Sequence, residues 1–187
     1  VSATGDEVVD FIGSCRGAAD TVLVAFANTN LLAQRRRGPQ YNESSFLHLN
    51  DGVGVDILCM IANGRRFREN LNGTDLVPRL LSALPGSTRV FLYGARPGVA
   101  EVAAARLAEQ CDVLICGSQH GFVAGQDARS VADTIRASAA DVVLVALGNP
   151  KQEQWIDANF ERTGASILIG VGALFDFVSG TQPRAPE

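Results

Sequence analysis

The sequence predicts an α/β fold in which a mainly parallel sheet of about six strands is flanked by helices on both faces. Six apolar runs of strand length recur along the 187 residues, and each is rich in Val, Ile and Leu without alternation. Such runs are typical of strands that are buried on both faces. Segments with helical periodicity separate them, and a β-α-β-α order favours parallel strands joined by right-handed crossovers. The expected architecture is therefore Rossmann-like.

The elements follow one another without a repeat or a clear linker, so one domain is predicted over residues 1–187. The predicted strands are "TVLVAFA" (21–27), "SFLHLN" (45–50), "RVFLYGA" (89–95), "DVLICG" (112–117), "DVVLVALG" (141–148) and "SILIGVG" (166–172). Helices are predicted at 75–84, 98–110, 127–139 and 150–164, where strong helix formers carry an apolar stripe. Pro150 suits the beginning of the last helix, whereas Pro78 is tolerated only in a first turn.

Composition narrows the class of protein. Hydrophobic residues make up 47% of the chain and charged residues 19%, as in a globular protein. The net charge of −4 argues against nucleic acid as the main partner. The four cysteines form no CxxC pair, so no zinc site is expected, and Cys59 and Cys116 are predicted to be buried thiols in a reducing compartment. No run of about 18 apolar residues and no signal-peptide pattern occurs, which favours a cytoplasmic protein.

Polar residues follow the predicted strands, and ligands of open parallel sheets bind beyond the carboxyl ends of their strands. Asn28, Thr29 and Asn30 follow the first strand. Gly94 and Arg96 lie in "GARPG" (94–98), where free amides at the beginning of a helix beside a cation suit a phosphate. An ordinary turn with Arg96 in solvent explains the same pattern equally well.

Three further residues each have a structural and a functional interpretation. Asp51 follows the second strand and can act as a general base, although Asp-Gly is also a common turn. Asp75 begins a predicted helix, where N-capping is the favoured explanation and substrate binding the alternative. His120 lies between glycines in "GSQHGF" (117–122), and a structural histidine is favoured there over a catalytic one.

The stretch "GNPKQEQW" (148–155) places Lys151 and Gln152 in the first turn of a helix. Helix amides favour an anion at that position, Lys151 adds positive charge, and the Gln152 amide can donate and accept hydrogen bonds. Both are candidate ligand contacts, whereas Trp155 is expected to pack against the sheet.

Several strings occur here in one order: "NDGVGV", "NGTDL", "YGARPGVAEVAA", "GSQHGF", "ADVVLVALGNPKQEQWI", "IGVGALFDFVSG" and "PRAPE". Over roughly residues 20–187 this combination resembles the WecG/TagA/CpsF family of bacterial glycosyltransferases, glycosyltransferase family 26. The resemblance implies an inverting, metal-independent transferase that needs no cofactor. It implies a UDP-sugar donor, of the N-acetylmannosamine, glucose or uronic acid type, and a saccharide acceptor linked to polyprenyl diphosphate, used in synthesis of teichoic acid linkage units and other cell-surface polysaccharides.

The resemblance also assigns roles to residues. The family's proposed base falls on Asp51, the Gln of its PKQE string on Gln152, and the Asn after its first strand on Asn30. Asn28 occupies a position at which the family pattern has Thr, and Asn70 a position at which it has Arg.

Family members usually continue past the RAP string with a basic, aromatic segment that contacts membrane. We therefore expect that the chain is trimmed of a C-terminal membrane-associating tail and that this form is weakly active or inactive. The protein is expected to be peripheral on the inner face of the bacterial plasma membrane. The apolar surface left by the tail is expected to permit a homo-oligomer.

Two other classes of function remain open on the sequence. One is a dinucleotide-dependent oxidoreductase on a Rossmann-like fold, although the chain lacks GxGxxG and an acidic residue at the required interval. The other is a non-catalytic subunit that binds a nucleotide sugar.

Overall fold

The computed structural model describes residues 3–17, 20–35, 41–122 and 128–183, and its centre is a single six-stranded sheet. The strands are β1 (Val22–Ala27), β2 (Phe46–Asn50), β3 (Arg89–Gly94), β4 (Leu114–Gln119), β5 (Val142–Ala146) and β6 (Ile167–Gly170). They lie in the order β2-β1-β6-β5-β3-β4, and every neighbouring pair is parallel. The predicted α/β fold with a parallel sheet is confirmed, and each predicted strand contains an observed one or overlaps it.

The described part of the chain also contains eight α-helices and one 3-10 turn (Glu43–Ser45), and all but the first and last helix lie between strands in the sequence. The helices are α1 (Gly5–Ser14), α2 (Thr29–Arg35), α3 (Val53–Asn63), α4 (Gly73–Ala83), α5 (Val99–Cys111), α6 (Ala128–Ala137), α7 (Lys151–Thr163) and α8 (Leu174–Val178). The four predicted helices correspond to α4, α5, α6 and α7. The predicted ranges left out the other four.

Successive side chains of each strand point to opposite faces of the sheet, and each face is covered by its own set of helices. Val24, Leu92 and Leu144 pack with residues of α1, α4, α5 and α8. Leu23 and Val143 belong to the second core, with residues of α6 and α7. Burial on both faces explains why the strand sequences show no polar alternation.

Trp155 lies in the second core, as expected. Its ring is 4.8 Å from that of Tyr93, measured between centroids, and both side chains are buried. The pair packs α7 against β3, which lies between β5 and the edge strand β4.

The expectation that Pro78 lies in a first turn was wrong. Asn72 caps α4, because its Oδ1 accepts a hydrogen bond from the Asp75 amide at 3.0 Å. The helix therefore begins two residues earlier than predicted, at Gly73, and Pro78 falls beyond its first turn. A proline there cannot donate to the carbonyl four residues earlier, that of Thr74.

The prediction of two buried thiols was also wrong, since Cys59 and Cys116 are half-buried and Cys111 is the buried cysteine. Cys59 lies on α3, which is largely exposed, and Cys116 on the edge strand β4. All four cysteines are free. Among the described residues, none of the helices has the length and apolar character needed to cross a bilayer.

Gly94 ends β3 where its backbone lies close to β5. Its φ is +126°, and a Cβ added to it would lie 2.3 Å from the Ala146 carbonyl oxygen. That oxygen also accepts a hydrogen bond from the Ala95 amide at 2.8 Å. Only glycine fits this junction, because any side chain would collide with backbone and not with a movable group.

The Gly94→Ala substitution is expected to lower the free energy of unfolding by about 3 kcal/mol or more, because it combines an unfavourable φ with a backbone clash. Gly98→Ala is the matched control, since Gly98 also has a positive φ but open space around its Cα. Its expected cost is about 1–2 kcal/mol. Urea denaturation measures both, and equal losses would show that the close approach to Ala146 does not matter.

Candidate functional site

A cavity of about 540 Å³ lies at the carboxyl ends of the strands. The residues that follow β1, β2, β3, β5 and β6 all contribute to it, as expected for a ligand site in an open parallel sheet. Its lining comprises Phe26, Asn28, Asn30, Asp51, Gly73, Thr74, Ala95, Arg96, Phe122, Ala146, Leu147, Gly148, Asn149, Gln152, Gly170, Val171, Gly172, Ala173, Leu174, Asp176, Phe177 and Gln182.

Half of the residues chosen from the sequence meet in this cavity. They are Asn28, Asn30, Asp51, Arg96 and Gln152. These five follow four different strands. Asn28 and Gln152 are more than a hundred residues apart in the sequence, and the parallel sheet brings their strand ends together.

Three of the remaining residues have structural contacts outside the cavity lining. Thr29 is exposed, and its methyl group is 2.5 Å from the position of a Cβ added to Gly54, so it packs against α3. Asp75 is not the N-cap that the sequence suggested. Asn72 occupies the capping position, and its Nδ2 donates a hydrogen bond to the Asp75 carboxylate at 2.8 Å. Gly94 is buried against β5.

His120 and Lys151 also lie outside the lining. The His120 ring is half-buried, and its Nδ1 has no hydrogen-bond partner among the described residues. Lys151 is the first residue of α7 and is exposed.

Asp51 directly follows β2, and hydrogen bonds from its own amide and from the next amide fix its backbone. Its amide donates to the Ala27 carbonyl at 3.0 Å, which continues the pairing of β2 with β1. The next amide, that of Gly52, donates to Asn70 Oδ1 at 2.9 Å. Burial raises the pKa of the Asp51 carboxyl above its ordinary value, and a hydrogen bond from Asn28 opposes part of that rise. A half-buried carboxylate with a raised pKa is suited to accept a proton.

Asn28 connects Asp51 with the neighbouring strand ends. Its Oδ1 accepts from the Leu31 amide at 3.0 Å, so it caps the first turn of α2. Its Nδ2 donates to Asn149 Oδ1 at 3.3 Å, and its side chain also hydrogen-bonds Asp51. One amide group thus joins the ends of β1, β2 and β5.

Glu153 continues this chain of contacts in the interior. Its Oε1 accepts from Asn149 Nδ2 at 2.6 Å and from Gln152 Nε2 at 2.8 Å, and the residue is completely buried. Burial is the main reason why the pKa of the Glu153 carboxyl is raised. Its other oxygen, Oε2, is buried and has no partner among the described residues.

Gln152 closes the chain of contacts on the side of β6. Its Oε1 accepts from the Gly172 amide at 3.0 Å. Its Nε2 lies only 2.8 Å from where a Cβ of Gly170 would be, so the side chain lies across this glycine. We call Asp51, Asn28, Asn149, Glu153 and Gln152 the strand-end network.

Reasoning from the sequence missed three residues of this region. Glu153 was visible beside Gln152, but nothing in the sequence distinguishes a buried carboxyl in a first helical turn from a solvated one. Asp176, a second half-buried carboxylate of the cavity, occurs in the string "FDF". Phe122 is an exposed aromatic on the rim, and the adjacent Gly121 amide donates to the Ala95 carbonyl at 2.9 Å.

The cavity has one exposed cation in its lining, Arg96, which precedes the N-terminus of α5. No ion pair joins Arg96 to a described residue. Arg68, by contrast, binds Glu7 through Nη1 at 3.0 Å. Among the described residues, no three His, Cys, Asp or Glu side chains converge as a metal site would require.

Comparison with known proteins identifies the family to which the chain belongs. The sequence matches the model of the family described as "Glycosyl transferase WecG/TagA/CpsF family" over residues 1–187. Two curated relatives are both named N-acetylglucosaminyldiphosphoundecaprenol N-acetyl-beta-D-mannosaminyltransferase. The relative from Bacillus spizizenii strain W23 is 33% identical over 169 residues, and that from Bacillus subtilis strain 168 is 35% identical over 148 residues.

These matches cover most of this chain and less of the relatives. The first covers 88% of this chain and 65% of the relative, and the second covers 78% and 56%. The chain therefore spans less than two thirds of the length of either relative.

Glu153 is expected to make folding stability depend on pH. Its raised pKa means that the folded protein holds this proton more tightly than the unfolded chain does, so the free energy of unfolding falls as pH rises through that pKa. Glu153→Gln keeps an acceptor for both amides but cannot ionise. Urea denaturation at pH 5 and pH 8 should show that the parent loses stability relative to this variant at the higher pH.

The control for this experiment is Glu161→Gln, which changes an exposed residue of the same helix. It should leave the pH dependence of the parent intact. If Glu153→Gln and the parent showed identical stability curves at both pH values, the carboxyl would not be the buried, proton-retaining group described above.

Proposed function

Because the chain belongs to the WecG/TagA/CpsF family of glycosyl transferases, we propose that it transfers a sugar from a UDP-sugar to a saccharide carried on a polyprenyl diphosphate. The observation that carries this proposal is the position of Asp51. It is a half-buried carboxylate of raised pKa, it lines a cavity large enough for a nucleotide sugar, and the strand-end network fixes it there.

The names of the relatives support the choice of substrates. Both describe transfer of N-acetyl-β-D-mannosamine to an N-acetylglucosamine that diphosphate links to undecaprenol. We place an acceptor of the same chemistry at this cavity and an N-acetylmannosamine-type sugar first among its donors. Since that acceptor carries a lipid, the reaction takes place at a membrane surface, with the chain acting as a peripheral protein.

Inverting transfer requires a base on the face of the sugar opposite the leaving group. In the proposed mechanism Asp51 takes the proton of the acceptor hydroxyl, and the hydroxyl oxygen attacks the anomeric carbon in line with the departing UDP. Its partners favour this role, because Asn28 donates to the carboxylate and leaves the rest of the group to face the cavity.

The departing diphosphate develops negative charge that the protein has to stabilise. Arg96 and the amides at the beginning of α5 supply positive potential at one side of the cavity. Phe122, on the same rim, offers an aromatic face against which a uracil ring can stack. Transfer without a metal ion follows if this cation and these amides are sufficient.

Gln152 and Asn30 are the proposed contacts to sugar hydroxyls. Gln152 lines the cavity. One N–H of its side-chain amide donates to Glu153, and its Oε1 accepts from the Gly172 amide. Its second N–H and second lone pair remain for a ligand. The proposed role therefore depends on the buried contacts that orient the amide.

Asp51→Asn is expected to lower transfer from a UDP-sugar to a polyprenyl-diphosphate-linked saccharide by about 100-fold or more, because the amide cannot accept the proton. A radiolabelled transfer assay with the 187-residue chain measures this. In the parent, activity should also fall on acidification at a pH above the usual range of an aspartate, since burial raises the pKa of Asp51.

Two controls make the Asp51 result specific. A thermal shift with UDP should be the same for parent and variant, and larger than the shift with NAD. Asp176→Asn removes the other carboxylate of the cavity and should cost less than about 10-fold. Near-normal turnover of Asp51→Asn, or a larger loss for Asp176→Asn, would contradict the assignment of the base.

Arg96→Gln is expected to raise KM for the UDP-sugar by about 10- to 100-fold, because a charge-assisted contact to the diphosphate is lost. Lys151→Gln is the matched control, since Lys151 also follows a strand but lies outside the cavity lining. The chelator EDTA should leave the parent's transfer rate unchanged. Equal effects of the two substitutions, or loss of transfer in EDTA, would overturn this view of diphosphate binding.

A further inference from the structure

Helix α3 presents an apolar stripe to solvent. Val53, Ile57 and Ile61 follow one another at intervals of four residues, which places them on one side of the helix. They are 68%, 54% and 77% exposed. Leu58 and Met60 are exposed beside them. More than half of the large apolar side chains exposed in the described part of the chain lie on this one helix.

Nothing described in the chain covers this stripe. Val55 is the only buried residue of α3, and no described element packs extensively against the helix. An apolar face of this kind on a surface helix marks an interaction site more often than a feature of the folded core.

The two ends of α3 carry charges of opposite sign. Asp56 turns inward, where Asn50 Nδ2 is 3.5 Å from its carboxylate. Beyond the C-terminal cap at Gly64, the side chains of Arg65 and Arg66 are exposed, and no ion pair joins either to a described residue. An apolar stripe next to two arginines that form no ion pair with the described part of the chain is complementary to an anionic lipid surface.

We propose that the exposed face of α3 inserts into the interfacial layer of an anionic bilayer and so brings the cavity to its lipid-linked acceptor. This inference rests on the proposed function, because that function supplies the reason for a lipid partner. Insertion to a depth of about 5–10 Å needs only one apolar helix face, and Arg65 and Arg66 would contact lipid headgroups.

The position of α3 along the chain supports this arrangement. The helix begins two residues after Asp51, so the first apolar side chain of the stripe, Val53, is next to the proposed base. The stripe then extends about 12 Å to Ile61 at a rise of about 1.5 Å per residue. A bilayer that receives this face is therefore adjacent to the mouth of the cavity.

A bilayer fits the stripe better than a second copy of the chain does. The eleven residues of α3 form a surface about 16 Å long and about 10 Å wide. A stable protein interface needs about 800 Å² of accessible surface from each partner, and one helix face of this size supplies only part of it.

The test is co-sedimentation of the 187-residue chain with vesicles of equal parts phosphatidylglycerol and phosphatidylcholine. The double substitution Ile57→Gln and Ile61→Gln should weaken partitioning by about 10-fold or more, because it removes two inserted side chains. Arg65→Gln with Arg66→Gln should weaken it by a similar factor on these vesicles. On vesicles of phosphatidylcholine alone, the arginine substitutions should make no difference.

Val102→Gln with Leu114→Gln is the matched control, since both side chains are exposed and apolar but lie on α5 and β4. It should partition like the parent. The proposal is overturned if the parent does not bind these vesicles, or if the α3 and control variants bind equally well. It is also overturned if sedimentation velocity shows a dimer that Ile57→Gln and Ile61→Gln dissociate while vesicle binding stays the same.

These measurements distinguish failure of the lipid-binding proposal from failure of the proposed transferase function. Loss of vesicle binding in the α3 variant, with no thermal shift by UDP in the parent, would support the lipid surface and contradict the transferase. A UDP shift and Asp51-dependent transfer to a water-soluble, short-chain acceptor, with no vesicle binding, would support the transferase and overturn the lipid surface.

Discussion

The geometry of the site depends on the buried carboxyl group of Glu153 and the two amides that donate to it. In surroundings of low dielectric, leaving either amide without a partner costs free energy, so both side chains are held in one orientation. Asn149 in turn hydrogen-bonds Asn28, which contacts Asp51. Gln152 accepts a hydrogen bond from the Gly172 amide. Side chains thus fix the relative positions of four strand ends at which the ladder of backbone hydrogen bonds stops.

The sheet was predictable from sequence because burial on both faces leaves a strong pattern of unbroken apolar runs, as in "VLVAF" before Asn28. The rule that ligands bind at carboxyl ends then drew attention to Asp51, Asn28 and Arg96, and all three line the cavity. Helices α3 and α8 were not predicted. The first is apolar at most of its positions, with Asp56 as its only charged residue, and the second has only five residues, so neither alternates between an apolar and a polar face as the predicted helices do.

The limits of sequence reasoning were reached where a side chain's environment decides its role. Asp75 has the right residue type for an N-cap, but Asn72 precedes it by three residues and takes that position. Glu153 looks like a solvated acid of a first turn, and only the packing of α7 on the sheet buries it. Asn28 and Asn70, the two positions at which the family resemblance leads one to expect other residues, both hydrogen-bond groups at or next to Asp51.

The order of strands in the sheet also has a consequence for biogenesis. The central strand β6 lies between β1 and β5 but is the last of the six to be synthesised. Until residue 170 leaves the ribosome, the facing edges of β1 and β5 have no partner, and two half-sheets must wait for one short strand to join them. Unpaired apolar edges of this kind favour pairing between nascent chains, so protection of this sheet during synthesis matters most just before β6 emerges.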